Sequence, residues 1–460
     1  MNDVMDSGFV ECDVLILGAG LGGLAAARAL GARALVLERE SRPGGLVRSE
    51  EHNDYIFDHT LHILYFPDKA TEARVMAIDG HHLAACPPEA WVETHAGIAR
   101  FPIQLHLGSL EATTAAECIR GIEAEEQAPV QAAPANFEDM LLRTFGKPFC
   151  ELFFHPYNRK MWKRPLDTLA PSGFQWNIAR PEMAAIKRGF ENPDAEYRAY
   201  NADGWYPQPP AGAPLRGIEL LAHALARGVD VRLGHDVTAI DTSRRTVTVK
   251  HAGRTQTYLY RTACISTLPL PQVAALCTGL PAAMKEACRK LAWNRVVTVA
   301  LFVKGPRPVG TGHWRYYTDE TIVFNRLIWP HLFDPLSAPE DGWVLLAEIT
   351  ERAEDAPTPE AAIVARVLDD ATRVGALPAG NTVVETRLLT LNPGYVVFRP
   401  GEESLIRDVL ACLREQDILP LGRYGRWEYS SMAQVMRDGF AQGDALVNAG
   451  APDATRETAG

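Results

Sequence analysis

The 460-residue chain contains no run of about 18 apolar residues, so no segment reads as a membrane-spanning helix and no membrane association is expected. Excess positive charge is also missing. With 46 Lys+Arg against 57 Asp+Glu, the formal net charge is −11, which argues against a surface built for nucleic acid or anionic lipid. An anionic ligand must therefore meet local positive charge. The eight cysteines form no C-x-x-C and no metal-ligand spacing; they read as buried reduced thiols, and no metal site is expected. There is no G-x-S-x-G or H-E-x-x-H, hence no signature of a serine hydrolase or zincin. No internal repeat stands out. The N-terminus carries Asp3, Asp6, Glu11 and Asp13 where a signal peptide needs basic residues, which predicts a cytoplasmic protein. A composition of 47% hydrophobic and 22% charged residues is that of a folded globular chain, long enough for two or three domains.

What is present begins at Asp13, where a short apolar run ends at Gly18 and has the length of a strand buried on both faces. Gly18, Gly20, Gly22 and Gly23 follow, then the helix-forming stretch Leu24 to Leu30 and a second apolar run ending in Glu38. G-x-G-x-x-G between a strand and a helix is a dinucleotide site. The turn is tight, the backbone must approach a pyrophosphate, and the helix N-terminus meets the phosphate charge. Glu38, twenty residues after Gly18, is placed to accept from a ribose 2′-hydroxyl and would repel a 2′-phosphate. Further on, residues 123–136 read as an exposed connection, Phe137 onward as helical, and Val231 to Val249, Val296 to Val303 and Trp343 to Ile349 as strands. Residues after Val447 offer nothing to bury and read as a disordered tail, 448–460.

Downstream of Glu38 stands Arg42-Pro43-Gly44-Gly45-Leu46, and here the chain resembles the FAD-binding superfamily of amine oxidases, protoporphyrinogen oxidases and UDP-galactopyranose mutase. Two further elements are similar to that superfamily: the strand at Val237, and Gly422-Arg423 with a following helix that begins near Ser431 and Met432. Five segments narrow the resemblance to the eukaryotic-type UDP-galactopyranose mutases. They are Phe57-Asp58-His59-Thr60-Leu61-His62-Ile63-Leu64-Tyr65, Phe101-Pro102-Ile103-Gln104, Pro156-Tyr157-Asn158-Arg159-Lys160-Met161-Trp162, Trp314-Arg315-Tyr316 with Asn325-Arg326, and Gly394-Tyr395 with Gly422 to Tyr429. The chain departs from the family at Thr60-Leu61, where two glycines are replaced, at residues 211–217, which stand for another Gly-rich element, and after Tyr429, where it is shorter.

The resemblance implies an α/β fold: a Rossmann-type FAD-binding domain with a helical insert and an antiparallel-sheet substrate domain. The FAD-binding domain is expected from 1–95, 208–285 and 400–447, the helical domain from 96–172, and the β-sheet domain from 173–207 and 286–399. It also implies FAD held by Gly18, Gly20, Gly22, Gly23, Glu38, Gly45, Leu46, Val237, Gly422, Arg423, Ser431 and Met432. FAD would be active when reduced, by external NAD(P)H or another reductant. Arg180, Arg326, Tyr395 and Tyr429 would hold a substrate diphosphate, and His62 would face the isoalloxazine. Tyr65, Phe101, Gln104, Tyr157, Asn158, Trp162, Asn201 and Tyr316 would line the rest of a nucleotide-sugar pocket. Planar guanidiniums and phenolic O–H groups suit a pyrophosphate, which supports that assignment chemically. The implied activity is interconversion of the pyranose and furanose forms of a nucleotide sugar, by default UDP-galactose, through an adduct at N5 of the reduced flavin. The alternative is an FAD-dependent amine oxidase or desaturase, whose apolar pocket would have no use for buried arginines; a flavin-containing protein with a structural role is a third reading.

Overall fold

Residues 9–59, 61, 63–129, 132–171, 181–194 and 203–449 are described in a computed structural model of the chain. The apolar run after Asp13 lies in the strand Phe9–Leu17, whose last four residues are buried, because it is the centre of a sheet covered on both faces. It pairs in parallel with Ala34–Leu37 on one side and with Arg254–Ser266 on the other. The sheet continues outward through Asp230–Arg232 at one edge and the antiparallel strands Thr246–His251 and Asp236–Asp241 at the other, while Ile418–Pro420 joins Arg254–Ser266 in parallel. The Gly-rich turn leads into the helix Leu21–Leu30, almost wholly buried, as its Leu/Ala composition predicts. This is a Rossmann-type layer built from three distant parts of the chain.

A second seven-stranded sheet runs in the order Thr382–Val397, Ala292–Lys304, Gly342–Arg352, Arg326–Ile328, Trp314–Tyr317, Ala90–Thr94, Gly97–Arg100. Its pairs are antiparallel except Trp314–Tyr317 with Ala90–Thr94, which is parallel. The expected antiparallel substrate sheet is corrected in that one pair. The boundaries are corrected too: the strands within 90–100 belong to this sheet rather than to the FAD-binding and helical segments. Trp205–Pro207, expected in the β-sheet domain, instead pairs with Leu83–Ala85, and Tyr206 enters the core under the first sheet. Both shifts come from strand pairings remote in sequence, which local patterning does not encode.

The helical insert comprises Ala112–Gln127, Phe137–Phe149 and His155–Trp162, the last reached through the π-turn Cys150–Phe154. The connection expected over 123–136 is shorter, since the first of these helices reaches Gln127. Phe145, Phe149, Phe154 and Trp162 pack with Val296 and Tyr395 of the second sheet in a single core. The C-terminal helix Met432–Ala449 takes in two residues of the expected tail; the rest of that tail lies outside the described residues. All eight cysteines are unpaired, six of them buried. Among the described residues no helix is long and apolar enough to cross a membrane.

Candidate functional site

The Gly-rich turn has the geometry that its sequence demands. Gly18 adopts φ 100°, and a Cβ there would lie 2.2 Å from Thr267 Oγ1, so only glycine fits. A Cβ on Gly20 would meet nothing within 4 Å, which leaves open space above the turn. The helix Leu21–Leu30 starts there with no side-chain cap and no acid in its first turn, so its N-terminal N–H groups remain available to an anion. Gly44 N donates to Ala19 O at 2.9 Å, and Gly45, at φ 62°, brings its backbone against Gly20. Leu46 then packs on the core beneath the helical insert together with Tyr316 and Tyr429, tying this loop to the second sheet.

Glu38 is nearly buried. Its carboxylate accepts from Ala19 N at 2.7 Å and from Glu40 N at 2.9 Å, and each oxygen keeps a lone pair. His235 N donates to Glu38 O at 2.8 Å, which brings the segment of Val237 alongside the acid. These residues fit an adenine dinucleotide: a phosphate at the uncapped helix, a ribose at the carboxylate. Ser431 N–H donates to Gln434 Oε1 at 2.8 Å and its Oγ accepts from Gln434 N at 3.2 Å, a capping box that starts the last helix and leaves the hydroxyl proton free to donate. Met432 packs on the core around the first helix. Gly422, at φ 76°, has open space around its α-carbon.

The second cluster is assembled by strand register. Tyr316 stands directly opposite Arg326, and Arg326 directly opposite Glu348, so three strands present these side chains in one rung on one face. Arg326 Nη2 donates to Glu348 Oε2, and the Tyr395 hydroxyl donates to Glu348 Oε1 at 3.1 Å. Burial opposes the charge on Arg326, but the Glu348 carboxylate, helped by Tyr316 and Tyr395, outweighs it and holds the guanidinium firmly protonated. Glu348 escaped the sequence reading. Its signal was a single acid within the apolar strand Trp343 to Ile349, a buried charge that needs a partner.

Around this rung stand aromatic rings. Tyr157 meets Tyr316 edge-on at 5.4 Å between centroids, and Phe101 lies 5.5 Å from Tyr316. Trp162 meets Tyr395 and Tyr429 edge-on at 6.2 and 6.0 Å. The guanidinium of Arg423 lies 5.3 Å from the ring of Tyr395 and 4.7 Å from that of Tyr429. Its Nε and Nη2 are buried, and the Tyr429 hydroxyl beside the guanidinium helps to hold it protonated. Burial raises the hydroxyls of Tyr157, Tyr316, Tyr395 and Tyr429, so all four stay protonated donors at neutral pH. Burial likewise raises Tyr65, which Tyr316 faces.

Gln104 is buried, and its Oε1 has no donor among the described residues. Asn158 and Trp162 bond to each other and to the backbone. Asn158 Nδ2 donates to Phe154 O at 2.7 Å, its Oδ1 accepts from Trp162 Nε1 at 3.0 Å, and Trp162 is 1% exposed, its indole covered by the tyrosines. The pair is buried beside the core of the helical insert. His62, Arg180 and Asn201 lie outside the described residues.

A thiol beside an imidazole, Cys86 and His313, is not a nucleophile–base pair. His313 Nδ1 accepts from Glu89 N at 3.0 Å, so its Nε2, 3.6 Å from Cys86 Sγ, carries the proton and cannot act as a base. Burial pushes the Cys86 thiol up to about 11.

The family model for flavin containing amine oxidoreductase matches residues 127–406, and that for an NAD(P)-binding Rossmann-like domain matches residues 16–77. Reduced UDP-galactopyranose mutase has a similar structure, with a TM-score of 0.84 and 21% identity over 97% of this chain and 96% of that one. Wild-type putrescine oxidase bound to putrescine is similar at a TM-score of 0.63 and 16% identity, covering 96% and 100%. A CLA-producing fatty acid isomerase from P. acnes is similar at 0.58 and 14%, covering 96% and 99%. Identities this low speak for the fold alone.

Proposed function

Because the chain belongs to the flavin containing amine oxidoreductases, we propose that it binds FAD and, with the flavin reduced, interconverts the pyranose and furanose forms of a nucleotide sugar, UDP-galactose by default. The observation that carries this reading is the buried cluster of Arg326 with Tyr157, Tyr316, Tyr395 and Tyr429, all four phenols protonated. An apolar substrate has no use for a buried guanidinium ringed by phenols, whereas a diphosphate accepts bidentate bonds from it and single bonds from the phenols.

The reaction breaks and re-forms the bond between the anomeric carbon and the diphosphate, with no net oxidation. When bound, a reduced flavin supplies the nucleophile for the anomeric carbon. The chain's own residues hold the diphosphate as it leaves and keep it in place to return: Arg326, Tyr395 and Tyr429 donate to its oxygens, with Arg180 as a further cation. Stabilising the departing charge in a site closed to water is electrostatic preorganisation. Gln104, with its unpaired buried Oε1, and Phe101, Tyr65 and Tyr157 accommodate the nucleobase. Glu348 neutralises Arg326 until the substrate anion arrives.

The test compares reduced and oxidised protein. After dithionite reduction the protein converts UDP-galactofuranose to UDP-galactopyranose, and the oxidised protein does not. R326A loses UDP binding and keeps its flavin. A second reading is favoured by one observation: the buried carboxylate of Glu348 also suits an ammonium. If the oxidised protein consumes oxygen and releases hydrogen peroxide with amines, the chain is an amine oxidase and the mutase reading falls.

A further inference from the structure

The short helix His155–Trp162 carries Tyr157 and the Asn158–Trp162 pair, yet it is only eight residues long and emerges from a π-turn, so its placement depends on tertiary contacts. Two buried tethers supply them. At its C-terminus, Asn294 Nδ2 donates to the carbonyls of Met161 and Trp162, at 3.0 Å each. On its flank, the Lys160 ammonium donates to Tyr317 O and Asp319 O, at 2.9 Å each. Those two carbonyls lie in the hairpin that joins Tyr316 to Arg326, the directly opposed pair of the pocket.

Lys160 is 3% exposed and has no ion-pair partner among the described residues; the carboxylate of Asp319 instead accepts from Thr321 N at 2.8 Å. A buried lysine whose hydrogen bonds go to neutral carbonyls, with the Asp319, Asp370 and Glu320 carboxylates near but unpaired with it, is an unfavourable way to stabilise a fold, and such local violations concentrate where function needs them. Burial also draws its pKa down to about 7, with Lys163 adding to the effect, in keeping with this unfavourable environment.

We propose that Lys160 is a positioning residue that clamps the helix of Tyr157 to the Tyr316–Arg326 hairpin, so that the two sides of the nucleotide-sugar pocket keep their separation. The inference rests on the substrate reading above. The clamp does not touch the anomeric carbon, so its loss acts on substrate binding and spares the chemical step.

The experiment uses flavin-loaded wild type and K160M, with UDP as the calorimetric probe and UDP-galactofuranose as substrate of the dithionite-reduced enzyme. K160M keeps its flavin, binds UDP about tenfold or more weakly, and shows a matching rise in KM with kcat within about threefold. Hydrogen exchange speeds up in residues 155–162 and 314–328 and stays unchanged in the strand Phe9–Leu17. Should K160M lose its flavin, K160Q, which keeps an uncharged N–H donor group, takes its place in the same comparison. UDP affinity within twofold of wild type, or a fall in kcat at constant KM, overturns the role of Lys160 alone. A wild type that binds no UDP overturns the substrate reading, and the clamp's role in binding with it.

Discussion

Arg326 and Glu348 face each other in a buried rung, and the carboxylate holds the guanidinium protonated. Removing one partner of a buried pair strands the other, at a cost of about 3 to 5 kcal/mol. E348Q is therefore expected to unfold at lower urea, and UDP to restore more stability to E348Q than to wild type, because the diphosphate takes the place of the lost carboxylate. Equal UDP shifts in the two proteins would place the anion elsewhere. A second carboxylate, Asp58, is fully buried and accepts from Ser49 Oγ at 2.6 Å, Tyr206 Oη at 2.7 Å and Ile218 N at 3.1 Å. Burial raises it from 3.8 to about 6 even so. The folded state thus takes up this proton before the unfolded state does. Its contribution to stability is fully present below pH 3.8 and is lost as pH rises through about 6. Between pH 7.5 and pH 5, wild type should gain stability relative to D58N, measured as urea midpoints at each pH; parallel curves would contradict it. At this scale the glycines of the turn and Glu38 were legible because their chemistry is local. The partner of Arg326 was not, since it lies 22 residues away on another strand.

Two helices meet over the dinucleotide turn, Leu21–Leu30 and Met432–Ala449, and they touch backbone to backbone. A Cβ on Gly439 would lie 2.3 Å from Gly22 O, so the last helix can sit here only with glycine at that position. G439V is expected to push the helices apart, destabilise by about 1 to 3 kcal/mol and lower the flavin bound per chain. S431A makes the contrasting case. Losing the N-cap costs about 1 kcal/mol, while flavin content, read from the absorbance ratio of the purified protein, stays that of wild type. Loss of flavin in S431A would show its hydroxyl donating to the cofactor. The helix after the Gly-rich turn was readable from composition. The S-x-x-Q box at Ser431 was equally readable, and it gives that residue a capping role beside the cofactor role that the resemblance implies.

The chain enters the second sheet at residue 90, leaves it, returns at residue 292 and ends in the first sheet and its covering helix. Neither sheet is a separable unit, so a dinucleotide bound at the Gly-rich turn is expected to stabilise both. Protein stripped of flavin and then given FAD at about a hundred times its Kd should gain about 2.7 kcal/mol. Heating the loaded protein should give one transition, coincident in flavin fluorescence and near-ultraviolet circular dichroism; two separated transitions would show the sheets unfolding independently. The order of the first strand, Gly-rich turn, helix and second strand, the dinucleotide that such a turn accepts, and the supply of arginines and tyrosines for an anion were all determined by sequence alone, because each rests on spacing within a few residues or on side-chain chemistry. Only the tertiary structure decided that strands 90–100 complete the second sheet, that Tyr316, Arg326 and Glu348 form one rung, and that Trp162 is covered by tyrosines. Those facts depend on which strand pairs with which and in what register, a choice made by packing between segments up to hundreds of residues apart.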